Sequence, residues 1–207
     1  MQKKWKKMAI AISIIILGIL LLFFWQNGNK NLENGNTNTI QTDEDLERYI
    51  ENISSYRAQM TVSIQSNKTT NKYKVTQEYN KSGIQKMIIQ EPENKKGLEI
   101  ENREGTITVR NTKLGLNEFY EQEEQITSNR LWLPSFIEDY KKDNTRSMKK
   151  TDEEIILEAT LQDKHPYYCY TQLYINAKTK KPTQLIVQDK DRNNRIYILY
   201  NEIEINS

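Results

Sequence analysis

Few residues in this chain of 207 are of types that do chemistry, and none stands at a spacing that chemistry requires. The single histidine is His165, in DKHPYY, and the single cysteine is Cys169. A zinc site draws on several His or Cys ligands at short spacings, and this pair does not supply one. DKHP reads as a turn, with no nucleophile elbow around it, so His165 reads as an ordinary turn histidine. Cys169 lies between Tyr168 and Tyr170 in a predicted strand and reads as a small packing residue. Gly97, Gly105 and Gly115 stand apart at turn-like places and form no phosphate-cradling loop. Glu121, Glu123 and Glu124 read as a solvated acidic face, whose target would be a basic surface. No catalytic, cofactor-binding or metal-ligating residue is assigned, and the chain does not read as an enzyme.

What remains is aromatic. Tyr167, Tyr168, Tyr170 and Tyr174 crowd one predicted strand, and Tyr197 and Tyr200 lie in the last one. Tyrosine is amphipathic and stiff, which suits protein interfaces. It is also an ordinary strand residue. Two roles stay open for the first four: cross-strand packing, or contact with a partner. They are the candidate partner-binding residues.

These side chains must be held somewhere, and the N-terminus says where. Met8 to Trp25 is a run of 18 residues without a charge, spanning about 27 Å as a helix, close to the hydrocarbon thickness of a bilayer. Phe23, Phe24 and Trp25 close the run as interfacial aromatics do, and Lys3, Lys4, Lys6 and Lys7 precede it, which puts residues 1–7 in the cytoplasm. A lipid anchor needs a cysteine directly after the apolar run, and the first cysteine is Cys169. The end, LLFFWQNGN, is bulky where a signal peptidase wants small residues. The run reads as an uncleaved single-pass signal anchor in the cell membrane. The alternative is cleavage within QNGNKNLENGN and release of a soluble domain. Residues 26–42, rich in Asn, Gly and Thr, read as a flexible linker.

The formal charge of +2 falls to −2 once the four leading lysines are set aside. A slightly acidic outer part argues against nucleic acid as a partner. One cysteine permits no internal disulfide, as is ordinary for a Gram-positive surface protein. Residues 43–207 are enough for one independent core.

Thr42 and Asp45 form a capping-box-like pair, and Leu46, Tyr49, Ile50 and Ile53 give the helix after them one apolar face. The period then changes to two. Tyr56, Ala58, Met60, Val62 and Ile64 alternate with polar residues, and four more short strands follow through TITVR, joined by turn chemistry. NTKLGLNEFYEQEEQITSNRL is mixed. Pro134 opens a short helix whose Phe136, Ile137 and Tyr140 share a face. Strands resume with Ile155, Leu157, Ala159 and Leu161 and continue to the C-terminus. The expected fold class is α+β: a transmembrane helix, then a strongly curved antiparallel sheet covered by short helices.

The order of YRAQMTVSIQ, EPENKKGLEIENREGTITVRN, LWLPSFIEDY, NAKTKKPTQLIVQD and RIYILYNEIEIN resembles the LolA-like superfamily of lipoprotein carriers, with its open half-barrel. Within it, the chain is similar to the clostridial germination lipoprotein GerS and its relatives. That resemblance covers most of residues 43–207. It implies a non-enzymatic, membrane-tethered protein that binds and activates the zinc N-acetylmuramoyl-L-alanine amidase of the spore cortex. The germination lipoprotein carries a lipobox cysteine and this chain does not, so the resemblance implies a related protein with a transmembrane anchor in place of the lipid, and leaves the identity of its partner open. In a sporulating cell the domain would face the cortex space from the forespore membrane. The carriers imply a second reading, a lipid or other hydrophobic ligand in the half-barrel. A carrier needs a roomy apolar cavity, whereas Tyr and Ile on the predicted inward faces favour a filled core.

The anchor reading predicts that the full chain of 24.6 kDa stays with the membrane fraction. Immunoblotting of fractionated cells checks this; a shorter soluble species would establish cleavage instead.

Overall fold

Period-two burial recurs in most strands, and most of the buried side chains fall on one face of a single sheet. The structure is a computed structural model that describes residues 42–66, 68–103, 106–111, 116–117 and 129–206. The anchor Met8–Trp25, the residues before it and the linker as far as Gln41 lie outside these, as do Glu121, Glu123 and Glu124. No helix among the described residues is long and apolar enough to cross a membrane.

Helix α1 spans Asp43–Glu51 and is capped as expected. Thr42 Oγ1 accepts from Asp45 N at 3.1 Å, and Asp45 Oδ2 accepts from Thr42 N at 3.2 Å. Leu46, Ile50 and Ile53 are buried, while Tyr49 is half-buried. The strands are β1 (Ser55–Gln65), β2 (Thr70–Asn80), β3 (Ile84–Glu91), β4 (Leu98–Arg103), β5 (Thr106–Asn111) and β6 (Leu116–Asn117). Helix α2 (Leu133–Lys142) follows, then β7 (Ser147–Lys150), β8 (Glu154–His165), β9 (Tyr168–Asn176), β10 (Pro182–Gln188) and β11 (Asn194–Asn206). Gly83, at φ +108°, makes the tight turn between β2 and β3.

The eleven strands among the described residues form one open antiparallel sheet, in the order β6-β5-β4-β3-β2-β1-β11-β10-β9-β8-β7. Each half is a meander, and the first and last strands join the halves. Their register shifts between Gln59 and Met60, which face Glu202 and Tyr200, leaving Asn201 as the extra residue of a bulge. The bulge lets Tyr200 and Ile203, three residues apart, both bury.

One face is apolar and covered. Tyr56, Ala58, Met60, Val62 and Ile64 of β1 are buried with Val75, Met87, Leu157, Leu173 and Ile198. Leu131, Trp132, Leu133, Phe136 and Tyr140 cover them from the short turn before α2 and from α2 itself. The α+β expectation of an open antiparallel sheet with two helices holds for the described residues. Strand β7 was not expected: SMKK carries one half-buried apolar residue, Met148, and no alternation announces it.

A buried polar chain ties the cover to the sheet. Tyr56 Oη donates to Gln77 Oε1 at 2.6 Å, and Gln77 Nε2 donates to the Leu131 carbonyl at 3.3 Å. Burial pushes the Tyr56 phenol well above its ordinary pKa, against a smaller opposing effect of the Leu133 backbone N–H. At the other end of α2, Asp143 accepts from Thr160 N in β8 at 2.6 Å and from Thr145 N and Oγ1 at 2.8 and 2.7 Å. Tyr56→Phe removes the donor to a buried amide oxygen, so it is expected to cost about 1–3 kcal/mol. Tyr56→Phe combined with Gln77→Leu is expected to cost less than the two single changes summed. Urea unfolding of the four proteins checks the coupling; simple additivity would deny it.

Candidate functional site

Antiparallel register brings three hairpin turns to one end of the sheet. Gln65 faces Thr70, Ile64 faces Ile196, and Gln188 faces both Asn194 and Tyr170. The β1–β2 turn closes on Ser66, whose Oγ accepts from Lys68 N and Thr69 N at 3.3 and 3.0 Å. The β8–β9 turn is Pro166–Tyr167, because His165 pairs with Tyr168. This corrects the expected DKHP turn: the His165 backbone ends β8, and Tyr167 lies in the turn rather than in a strand. Proline, with fixed φ and no N–H to give a ladder, suits the corner.

The β10–β11 turn is organised by Asp189, which is 2% exposed. Its carboxylate accepts from Asp191 N and Asn193 N, both at 2.9 Å, and from Arg195 Nε at 2.8 Å. Burial by itself raises the Asp189 carboxyl, but the hydrogen bonds from Asn193, Arg195 and Asp191 outweigh it and hold it below the usual carboxylate range. Arg195 is thereby fixed, with its guanidinium carbon 5.6 Å from the centre of the Tyr167 ring.

Beneath these turns lies a pocket of about 340 Å³, lined by Ile64, Gln65, Ser66, Lys68, Tyr167, Tyr168 and Arg195. Tyr167 is 45% exposed. Burial raises the Tyr168 phenol, and the charges of Arg130 and Arg195 pull it part of the way back. Tyr170 stacks under Arg192, whose guanidinium carbon is 3.4 Å from the ring centre. Arg192 also holds Glu158 at 3.1 and 3.2 Å. Tyr174 lies about 13 Å further along the strand, with its hydroxyl donating to Gln172 Oε1 at 3.3 Å. Of the four predicted tyrosines, Tyr167 and Tyr168 share the pocket, Tyr170 is occupied by Arg192, and Tyr174 stands apart. Tyr200 is in the core, its phenol raised by burial.

Lys68 and Arg195 were not singled out by sequence, and Ile64 was read as a packing residue of the first strand. The signal for Arg195 was its spacing from Asp189 across DKDRNN, where a carboxylate before a turn can bond the backbone two and four residues on. Cys169 is half-buried. Among the described residues, no three His, Cys, Asp or Glu side chains are placed to hold a metal ion.

The family model described as sporulation protein YdcC-like matches residues 6–207. The chain belongs to the YdcC-like sporulation family. No curated protein matches this YdcC-like chain. Among solved structures it is similar to a chain of the CwlD amidase–GerS lipoprotein complex of Clostridioides difficile, at 25% identity and TM-score 0.50, covering 78% of this chain and 92% of that one. An uncharacterized conserved protein of Thermus thermophilus is similar at 7% identity and TM-score 0.50, covering 79% and 87%. The LolA superfamily protein NE2245 of Nitrosomonas europaea is similar at 11% identity and TM-score 0.43, covering 80% and 94%. The resemblance read from the order of the sequence segments is thus borne out for this YdcC-like protein.

Because the Asp189 carboxyl is depressed in the folded state, it stabilises the fold above its unfolded value of about 4, and that contribution is lost as pH falls through the folded value. Asp189→Asn is therefore expected to lower the thermal midpoint at neutral pH and to flatten its decline on acidification. Melting curves between about pH 7 and 2 test this; an acid slope as steep as in the parent chain would remove Asp189 from the account.

Proposed function

We propose that this YdcC-like protein is a membrane-anchored, extracytoplasmic accessory factor that binds and supports a spore-cortex cell-wall amidase during sporulation or germination. The observation that carries the reading is the similarity, along most of both chains, to a chain of the amidase–GerS complex. The sporulation family supports the setting. The apolar Met8–Trp25 run supplies the tether, with the N-terminus in the cytoplasm and the domain outside, at the forespore membrane in a sporulating cell.

The filled inner face is why protein binding ranks ahead of carriage of a lipid. Trp132, Phe136 and Tyr140 are each 3% exposed and occupy the space that a carried chain would need. Among the described residues, two pockets lie at the hairpin end of the sheet and a third lies against β1, β11 and the start of β10.

The test is capture of the tagged full-length chain in mild detergent from sporulating cells, with the eluate identified by mass spectrometry. An N-acetylmuramoyl-L-alanine amidase is expected in about equal amount. Retained lipid with no amidase would overturn the proposal in favour of carriage.

A further inference from the structure

We infer that the hairpin-end pocket is the socket of this protein for its partner, and that Tyr167, Tyr168 and Lys68 receive an acidic segment of that protein, with an aromatic or branched aliphatic side chain beside a carboxylate. The inference rests on the accessory-factor reading and names the chemistry of its contact.

Four observations point to this occupant. The walls pair apolar surface with cations: the two tyrosine rings share the pocket with Lys68 and Arg195, and among the described residues no carboxylate lines it. The Arg195 charge is shared with Asp189 at 2.7 Å, but among the described residues Lys68 has no acidic partner. A carboxylate on the partner supplies one.

The volume of about 340 Å³ is at the low end of small-ligand sites and suits one or two side chains. The wall is also pre-set. Asp189 fixes Arg195 and Arg195 lies against Tyr167, so little ordering remains to oppose binding.

Position gives the fourth argument. The domain begins with α1 and enters β1 at Ser55, while the pocket lies at the far end of β1 beside Ile64 and Gln65. Those eleven residues span about 36 Å. The socket lies at the end of β1 opposite to Ser55. Tyrosine beside a cation is also the composition that dominates binding energy at protein interfaces.

The test uses the full-length chain in mild detergent and the spore-cortex N-acetylmuramoyl-L-alanine amidase of the same cells, with the dissociation constant measured by calorimetry. Tyr167→Ala and Lys68→Glu are each expected to weaken binding about tenfold or more. Lys178→Glu, an exposed change in the β9–β10 turn at the opposite end, is expected to leave it within about twofold. Both Tyr167 and Lys68 are in exposed turns, and unfolding midpoints equal to the parent chain confirm that the fold is kept. Parent-level binding by both socket variants would overturn the socket and leave the accessory reading standing. No binding by the parent chain would overturn both.

Discussion

The sheet depends on a pairing between the two ends of the domain. Ser54 donates to Asn206 across 152 positions of sequence, and β1 then runs against β11 as far as Ile64 and Ile196. Closing so long a loop is unfavourable until the contacts form, but the cost grows only logarithmically with length. The return is large, because β1 and β11 both bury alternate side chains along their lengths. Without this ladder the chain would be two meanders, each with a hydrophobic face and an exposed inner edge. With it, β6 and β7 are the edges of the sheet among the described residues.

The same pairing creates the pocket. Ile64 belongs to β1, and Arg195 precedes Ile196 in β11, so these walls meet only because the first and last strands are neighbours. Tyr167 and Tyr168 come from the hairpin turn two strands further on. The bulge at Asn201 lies near the other end of β11 and re-sets which residues face inward there, leaving the register at the pocket end unbroken from Met60 to Ile64. Helix α2 secures the covered face at two points, through Gln77 in β2 and Thr160 in β8. These contacts bracket the helix, and Leu133, Phe136 and Ile137 are buried between them.

Local patterns were legible and remote ones were not. The Thr42–Asp45 cap and the buried residues of β1 and β8 follow from spacing within one element, which physics sets over a few residues. Gln77 broke that rule: at an inward position its amide is satisfied by Tyr56 and the Leu131 carbonyl, partners that no alternation can reveal. Strand β7 was too short and polar to show a period. The turn before β9 was misplaced because Asp163 and Lys164 look like turn residues, while the ladder continues to His165.

The candidate site shows the same division more sharply. Tyr167 and Tyr168 stood out because clustered tyrosines are rare enough to notice. Lys68 did not, since a lysine in NKTTN is indistinguishable from any solvated cation until the fold brings it to the same pocket as the tyrosines. Arg195 and Arg192 lie three residues apart, yet one wedges against Tyr167 and is neutralised by Asp189, whereas the other covers Tyr170 and holds Glu158. Their roles differ because Arg192 adopts a left-handed backbone, φ +64°, in the turn, while Arg195 has already joined the ladder of β11. Side-chain chemistry was thus readable as a list of available groups, but its assignment to separate sites came from the turn geometry that aims them.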